Sequence, residues 1–322
     1  MISRDDVVAA FRLLLGREPE SETVVAHYAA EVKDLRELRE LFVNSVEFRE
    51  KNQDSQPPRP PRPPFNGPPM QVELVAPPEK LAALFAKVSA QWHHLGGTEP
   101  HWSVLTKDSY FQENFQMNRE PFYASGETEL KMFDATLARA QVSAQSWTRC
   151  LELGCGVGRV TAALATRFEE VIAVDISAAH LSVAEEHLRS EGVNNVRLQH
   201  LDSIDAIAGL GEFDVLYSRI VLQHNPPPVV ARLLGDLLVQ LRPGGIAFFQ
   251  VPTYKAGYRF QIDEYLSKQN STDMEMHYFP QAALLELINR KGCRLLEIRE
   301  DDSNGLSLTA ISNTVLVIKG PG

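Results

Sequence analysis

The sequence is poor in cysteine, in positive charge and in long apolar runs. Three cysteines in 322 residues are too few for a disulfide framework. The 32 lysines and arginines face 42 acids, and the formal net charge of −10 argues against a phosphate backbone or an anionic membrane surface as main partner. No run approaches the ~18 apolar residues of a membrane span, and the N-terminus lacks a signal-peptide core. We therefore expect a cytoplasmic protein with no membrane span and no nucleic-acid partner.

Residues 1–52 are predicted to form a small helical domain. Phe11, Leu14 and Leu15 share one helical face, as do Leu35, Leu38, Leu41 and Phe42. The stretches 11–19 and 45–49 resemble a helical domain of unknown function that is often appended to bacterial enzymes of glycan assembly. The resemblance implies a glycan link and a protein partner or dimer through these helices; a plain packing appendage is the alternative.

Residues 53–78 are predicted to be a proline-rich linker, because half of the chain's 20 prolines lie between Pro57 and Pro78. Residues 79–147 then read as a helical cap. One helix is expected to end at Gly96-Gly97, and a second is expected from about Glu127 to Val142.

From residue 148 to residue 322, strand and helix patterns alternate. Seven strand segments are expected, at 149–153, 171–175, 196–200, 213–217, 246–251, 294–298 and 313–318. Such alternation predicts an α/β domain with a doubly wound, mostly parallel sheet covered by helices on both faces.

A glycine-rich turn follows the first of these strands and opens a helix. It has an acid, Glu152, two residues before the first of three alternating glycines, Gly154, Gly156 and Gly158. Dinucleotide-binding turns instead place a glycine or alanine where this chain has Arg159. Because open α/β sheets bind ligands at the carboxyl ends of their strands, this turn is the predicted ligand site.

The pattern resembles the first motif of class I S-adenosylmethionine-dependent methyltransferases. Asp175, 21 residues after Gly154, resembles their ribose-binding acid, and Asp202 resembles the acid that meets the adenine amino group. The segment 213–224 and the turn 241–245 also match. The resemblance implies S-adenosylmethionine as cofactor, a sheet whose last strand is antiparallel, and a cofactor site formed by Glu152, Gly154, Cys155, Gly156, Gly158, Asp175, Ile176, Asp202, Ser203, Ser218 and Tyr123.

Several of these assignments have alternatives. Glu152 is expected to orient the glycine turn by accepting hydrogen bonds from backbone amides. Asp202 could instead cap a short helix, and Tyr123 could belong to the core of the cap. His224, which follows the fourth strand, is the candidate general base, with a positioning or packing role as the alternative. His93, His94 and His101 lack the spacing of a metal site, so no metal is expected.

The sequence therefore predicts methyl transfer from S-adenosylmethionine to a small-molecule or glycan acceptor, with oxygen as the methylated atom. Two alternatives remain open at this point. One is a non-catalytic module that binds S-adenosylmethionine or S-adenosylhomocysteine and acts through its N-terminal helices. The other is a dinucleotide-dependent oxidoreductase, against which Arg159 argues.

Overall fold

The computed structural model describes residues 2–45, 47–48, 63, 66–143, 147–269, 273–303 and 309–321. The chain divides into two compact units, residues 1–61 and residues 62–322. The proline-rich run 57–62 and most of the predicted linker before residue 66 lie outside the described residues.

The first unit contains helices α1 (Arg4–Leu15), α2 (Glu22–Glu31) and α3 (Leu35–Val43). Ser3 caps α1 in a reciprocal arrangement with Asp6, which satisfies two amides at the start of the helix. The core of the unit includes Phe11 and Phe42, whose rings pack edge to face with their centroids 4.8 Å apart. The predicted face of α3 is only partly right, since Leu38 and Phe42 are buried while Leu35 and Leu41 are 60% and 49% exposed.

The second unit is built on a seven-stranded sheet, which confirms the predicted fold. Its strands are β2 (Arg149–Leu153), β3 (Glu170–Asp175), β4 (Val196–His200), β5 (Phe213–Ser218), β6 (Leu241–Lys255), β8 (Cys293–Asp301) and β9 (Ala310–Lys319). Their spatial order is β4-β3-β2-β5-β6-β9-β8. The first five in that order are parallel, and β9 runs antiparallel to both of its neighbours.

Helices cover both faces of this sheet. They are α7 (Arg159–Ala165), α8 (Ala178–Ser190), α9 (Pro227–Gln240) and α11 (Gln281–Arg290). Successive residues of β3 enter different cores: Ile172 and Val174 pack in one cluster, and Val171 and Ala173 in the other. A parallel strand that is buried on both sides needs such a continuous apolar run.

The cap contains helices α4 (Pro78–Thr98), α5 (Pro100–Val104) and α6 (Gln112–Arg139). The prediction that α4 ends at Gly96-Gly97 is wrong. Gly96 is buried, and a β-carbon there would lie 2.6 Å from both His180 Nδ1 and Ser177 Oγ, so this glycine lets α4 approach α8 closely.

The second cap helix begins 15 residues before the predicted start at about Glu127. It continues through Pro121, which cannot donate an intrahelical hydrogen bond. Phe115 and Phe122 are both buried in an aromatic cluster, and their packing outweighs the local cost of the proline.

A small parallel pair joins the segment before the cap to the segment after β6. Strand β1 (Gln71–Val72) pairs with β7 (Arg259–Phe260), and helix α10 (Ile262–Ser267) follows. The predicted linker therefore ends earlier than residue 78, because Leu74 and Ala76 already pack against the main core. Of the helices in the described part of the chain, none is long and apolar enough to cross a membrane.

Candidate functional site

A cavity opens at the carboxyl edge of strands β2, β3 and β5. Its wall includes the glycine turn after β2, Asp175 and Ile176 at the end of β3, and the segment 219–221 after β5. Three parallel strands thus deliver their ends to one space, as expected for an open α/β sheet.

The glycine turn cannot tolerate side chains at two positions. Gly154 and Gly156 have φ angles of 76° and 53°, in the left-handed region. A β-carbon on Gly154 would collide with the side chain of Val221, and one on Gly156 would lie 2.8 Å from a methyl of Val104. The glycines therefore permit the turn itself and also the close approach of Val221, which follows β5, and of Val104 in the cap.

Asp175 holds this turn in place. Its two carboxylate oxygens accept from the amides of Gly156 and Ser177, each at 2.8 Å. The amides of Gly154 and Cys155 donate to Val174 O at 2.7 and 3.0 Å. The expectation that Glu152 accepts these amides is wrong, because the end of β3 already takes them.

Glu152 has a different environment. Its side chain is buried and accepts from the hydroxyl of Thr161 at 2.6 Å. Burial raises the pKa of Glu152 to about 7, an effect that the Thr161 hydrogen bond and the charge of Arg159 oppose. The group can therefore change charge near neutral pH inside the cavity.

The segment after β5 is strained where it forms the cavity wall. Ile220 has a φ angle of 59°, an uncommon conformation for a β-branched residue. Its amide donates to Gln250 Oε1 at 3.1 Å, which holds the backbone there. Such strain persists only where the surroundings enforce it, and it is frequent at functional sites.

The cap closes one side of the cavity. Val88 and Trp92 of α4 and Ser103 and Val104 of α5 contribute to its wall. Ser103 Oγ lies 2.8 Å from Nε2 of the buried His180, which joins the cap to helix α8.

Two arginines lie at another side. Arg159 and Arg219 both line the cavity, and both approach Glu129 of α6, at 3.6 and 3.2 Å. The hydroxyl of Tyr217 also donates to Glu129, at 3.1 Å. Among the described residues, no group of three or more His, Cys, Asp or Glu side chains is arranged to hold a metal ion.

Comparison with known proteins gives the class of this domain. Residues 150–245 match the family model described as a methyltransferase domain. The chain contains a class I S-adenosylmethionine-dependent methyltransferase domain.

Two curated relatives resemble this methyltransferase domain in sequence. Trans-aconitate 2-methyltransferase from Deinococcus radiodurans is 38% identical over 116 residues, which are 35% of this chain and 42% of that protein. Ubiquinone biosynthesis O-methyltransferase from Nitrosococcus oceani is 36% identical over 152 residues, 45% of this chain and 62% of that protein. The chain thus spans roughly half the length of these relatives.

A solved structure resembles the chain in fold. Magnesium protoporphyrin IX methyltransferase from Synechocystis PCC 6803, with bound S-adenosylhomocysteine, has a TM-score of 0.51 to this chain. It covers 74% of this chain and 100% of its own, at 14% identity, so the likeness concerns the fold alone.

The methyltransferase domain brings together six of the predicted cofactor residues. Glu152, Gly154, Cys155, Gly156, Asp175 and Ile176 all line the cavity. Gly158 lies beneath the turn against Ala184, and Ser218 is buried with its hydroxyl bonded to Leu153 O at 3.0 Å. Asp202 and Ser203 are exposed beyond β4, and Ser203, not Asp202, precedes the short helix there without a side-chain cap bond.

Tyr123 is not among the described residues that line the cavity. It is in α6, where its ring stacks on His187 with the centroids 3.5 Å apart and its hydroxyl is 3.3 Å from His101 Nε2. This position favours the alternative that Tyr123 belongs to the aromatic core of the cap.

His224 is buried behind the cavity wall and both of its ring nitrogens have partners. Nδ1 lies 2.9 Å from Glu275 O, which can only accept, and Nε2 lies 3.0 Å from the Gln223 amide nitrogen. Burial lowers the pKa of His224 to about 4. The arrangement favours the positioning role over that of a base.

The sequence reasoning missed the arginine side of the cavity and the cap residues that close it. In the sequence Arg159 stands out only as a misfit to dinucleotide motifs, and nothing in the local pattern distinguishes a buried arginine from a surface one. Trp92 and Val104 carried only the signal of apolar helix positions.

Proposed function

We propose that this cavity binds S-adenosylmethionine and that the chain transfers its methyl group to an oxygen of a small-molecule or glycan acceptor. The observation that carries the proposal is the meeting of the glycine turn with Asp175 in one cavity of a methyltransferase domain. The relative named as an O-methyltransferase supports oxygen as the acceptor atom. The resemblance of residues 11–19 and 45–49 to glycan-assembly appendages supports the glycan.

In this proposal Asp175 binds the ribose hydroxyls. Each of its oxygens accepts one backbone amide, so each retains a lone pair for a further donor. Ile176 lies beside it on the cavity wall. Asp202 and Ser203, exposed at the next strand end, are proposed to meet the adenine.

The remaining residues orient the reaction and exclude water. The cofactor, when bound, supplies a methyl group already activated by its sulfonium. Correct orientation of the acceptor can lower the barrier by roughly 7–11 kcal/mol. Held by Asp175 and the glycine turn, the cofactor would supply this methyl to the acceptor oxygen and would remain as S-adenosylhomocysteine, while the hydroxyl proton would pass to solvent. His224, held by Gln223 and Glu275, is proposed to fix the wall segment in position.

The direct test is calorimetric binding of S-adenosylmethionine, S-adenosylhomocysteine and NAD to the full chain. We expect both adenosyl ligands to bind and NAD not to bind. Asp202→Ala should weaken S-adenosylhomocysteine, whereas Asp205→Ala, which removes a neighbouring exposed acid that pairs with Arg232, should not. Binding of NAD alone would refute the proposal. Binding of the adenosyl ligands without turnover of any acceptor would favour the non-catalytic module.

The helical unit is proposed to bind a protein partner or a second copy of the chain. Three exposed leucines support this, Leu13 of α1 and Leu35 and Leu41 of α3. Their exposed fractions are 83%, 60% and 49%. Light scattering on the wild type and on Leu13→Glu tests for the second copy. An unchanged monomeric mass in both would leave only the heterologous partner.

A further inference from the structure

A second cavity lies in the segment after β6, and none of the described residues that line it also lines the cavity described above. It is formed by β7, α10 and residues 275–277, and its volume is about 280 Å³. Pockets for small molecules begin at roughly 300 Å³, so the space suits a ligand of about one ring. His277 is buried within it. Four of its lining residues are exposed: Arg259, Gln261, Glu264 and Lys268.

The ring of His277 has a fixed orientation and one unused nitrogen. Nδ1 lies 2.9 Å from the hydroxyl of Tyr258. The rings of Phe260 and Tyr265 pack edge to face with the imidazole, at centroid separations of 5.6 and 5.5 Å. Nε2 is buried and has no hydrogen-bond partner among the described residues. Because a buried polar atom without a partner is unfavourable, this nitrogen is available to a ligand.

The carboxylate of Glu275 decides whether Nε2 donates or accepts. Glu275 Oε2 lies 3.6 Å from Nε2, which is longer than a hydrogen bond, and it accepts from the hydroxyl of Tyr265 at 2.5 Å. The neighbouring His277 and the Tyr265 hydroxyl lower the pKa of Glu275, so this group is an anion at neutral pH. A lone pair on Nε2 would be repelled by the anion. The proton of the imidazole is therefore assigned to Nε2, and Tyr258 donates to Nδ1.

This pair of side chains favours one kind of ligand group. It presents a donor, His277 Nε2, and an anionic acceptor, Glu275 Oε2, 3.6 Å apart. A hydroxyl satisfies both, because its oxygen accepts from the imidazole and its hydrogen is donated to the carboxylate. A carboxylate or phosphate would be repelled by Glu275, and an ammonium group cannot accept from Nε2. The pair therefore selects a neutral ligand that carries a hydroxyl.

The remaining walls of the second cavity favour a ring with several hydroxyls. Tyr258, Phe260, Tyr265 and Met276 supply apolar surface that can pack on the carbon–hydrogen face of such a ring. The four exposed residues supply side-chain donors and acceptors for further hydroxyls. A sugar combines the apolar face with the hydroxyls, whereas a simple alcohol would leave the exposed polar side chains unused.

We propose that the second cavity binds a neutral sugar, with one hydroxyl between His277 and Glu275. This inference goes beyond the proposed function and does not depend on cofactor binding. The backbone joins this site to the first cavity, since His277 N donates to Gln223 O at 2.7 Å and His224 Nδ1 donates to Glu275 O at 2.9 Å. A sugar bound there would therefore lie beside the segment that contains His224.

The test begins with ligand-observed NMR titrations of the full chain. The probes are methyl glucoside, methyl galactoside, methyl mannoside and methyl rhamnoside, with inorganic phosphate as the anionic competitor. We expect at least one glycoside to saturate a single site and phosphate not to displace it, because Glu275 repels an anion. Saturation by none of the four, or displacement by phosphate, would overturn the inference.

A pair of matched variants locates the site. His277→Phe removes the Nε2 donor and keeps an aromatic ring against Phe260 and Tyr265, so the glycoside affinity should fall by at least about fivefold. His187→Phe is the control. His187 is also buried, and both of its ring nitrogens lack hydrogen-bond partners among the described residues, but it lies in α8 and does not line this cavity. The control should keep the wild-type affinity.

Glu275→Gln tests the same pair if His277→Phe does not unfold cooperatively in urea. Tyr265 can still donate to the glutamine carbonyl, but the charged acceptor becomes neutral, so the affinity for the glycoside should fall several-fold. Unchanged affinity in a folded variant of either residue would overturn the inference. Failure of S-adenosylhomocysteine to bind, with glycoside binding intact, would instead refute the proposed function alone.

Discussion

Replacing Glu152 with glutamine should stabilise the ligand-free chain at neutral and alkaline pH and should weaken ligand binding in the cavity. Glutamine has the shape of the protonated acid, and its carbonyl oxygen can still accept from Thr161, as Glu152 does now at 2.6 Å. What the substitution removes is the ability to become a buried anion.

The magnitude follows from the pKa of Glu152, which burial raises from 4.5 to about 7. Between these values the folded chain binds more protons at this site than the unfolded chain, so the free energy of unfolding falls as pH rises. At about 1.4 kcal/mol per pKa unit, the shift corresponds to about 3 kcal/mol, absent below pH 4.5 and complete above pH 7. Any cost of burying the glutamine NH₂ is the same at every pH.

Urea denaturation of the wild type and Glu152→Gln from pH 4.5 to pH 8 measures this difference. We expect the two curves to diverge with rising pH, with the variant gaining about 3 kcal/mol relative to the wild type. Subtraction removes every other titrating group. Parallel curves would show that Glu152 does not titrate in this range and would refute the reasoning. S-adenosylmethionine, which is cationic, should bind the variant more weakly above pH 7.

Three further predictions use the same denaturation assay. Gly96→Ala should destabilise the chain by about 1–3 kcal/mol through overpacking. The control is Gly97→Ala at an exposed position with no atom within 4 Å of the new β-carbon, which should be neutral or stabilising by up to about 1 kcal/mol. Equal effects of the two substitutions on the free energy of unfolding would contradict the close approach of α4 and α8. Gly126→Ala should cost about 3 kcal/mol, because its β-carbon would meet a main-chain oxygen that cannot rotate away. Between pH 7 and pH 5 the wild type should lose about 2 kcal/mol of its free energy of unfolding that His224→Asn does not lose, since a histidine with a pKa of about 4 stays neutral in the folded chain while the unfolded chain takes up a proton. An equal loss of unfolding free energy in the variant would contradict this.

The strands could be predicted because they are apolar or alternating runs bounded by turn residues; β4, for example, alternates and is only partly buried. Their order could not be read from periodicity, and the resemblance implied only that the last strand is antiparallel. Strand ends were less accurate: β6 begins at Leu241, five residues early, because Leu241 pairs with Phe213 across an irregularity in the ladder. Pairing between strands, which a single segment does not encode, sets such ends.

The cap shows why tertiary contacts override local signals. Paired glycines normally end a helix, yet α4 continues to Thr98 because Gly96 faces His180. A proline normally interrupts one, yet α6 contains Pro121. In both cases the energy comes from partners more than 50 residues away or from an aromatic cluster, neither of which a window of sequence contains.

The same distinction separates the predicted half of the site from the rest. The glycine turn and Asp175 were found because local backbone geometry demands particular residue types there. Arg159, Trp92 and Val104 matter through where the cap places them. A bound ligand would contact both sets of residues. Local motifs therefore identify the glycine turn and Asp175, and they miss the cap residues that close the cavity.

This division explains why the relatives do not name the acceptor. The family match covers residues 150–245, whereas Trp92 and Val104 of the cavity wall, and Glu129 beside Arg159, lie before it. The segment that holds His224 through Glu275 lies after it. The cap residues that close the cavity therefore lie outside the region that the family model matches. Acceptor assays need the full chain, because a fragment that begins at β2 would lack one wall of the cavity and the helix that orients Arg159.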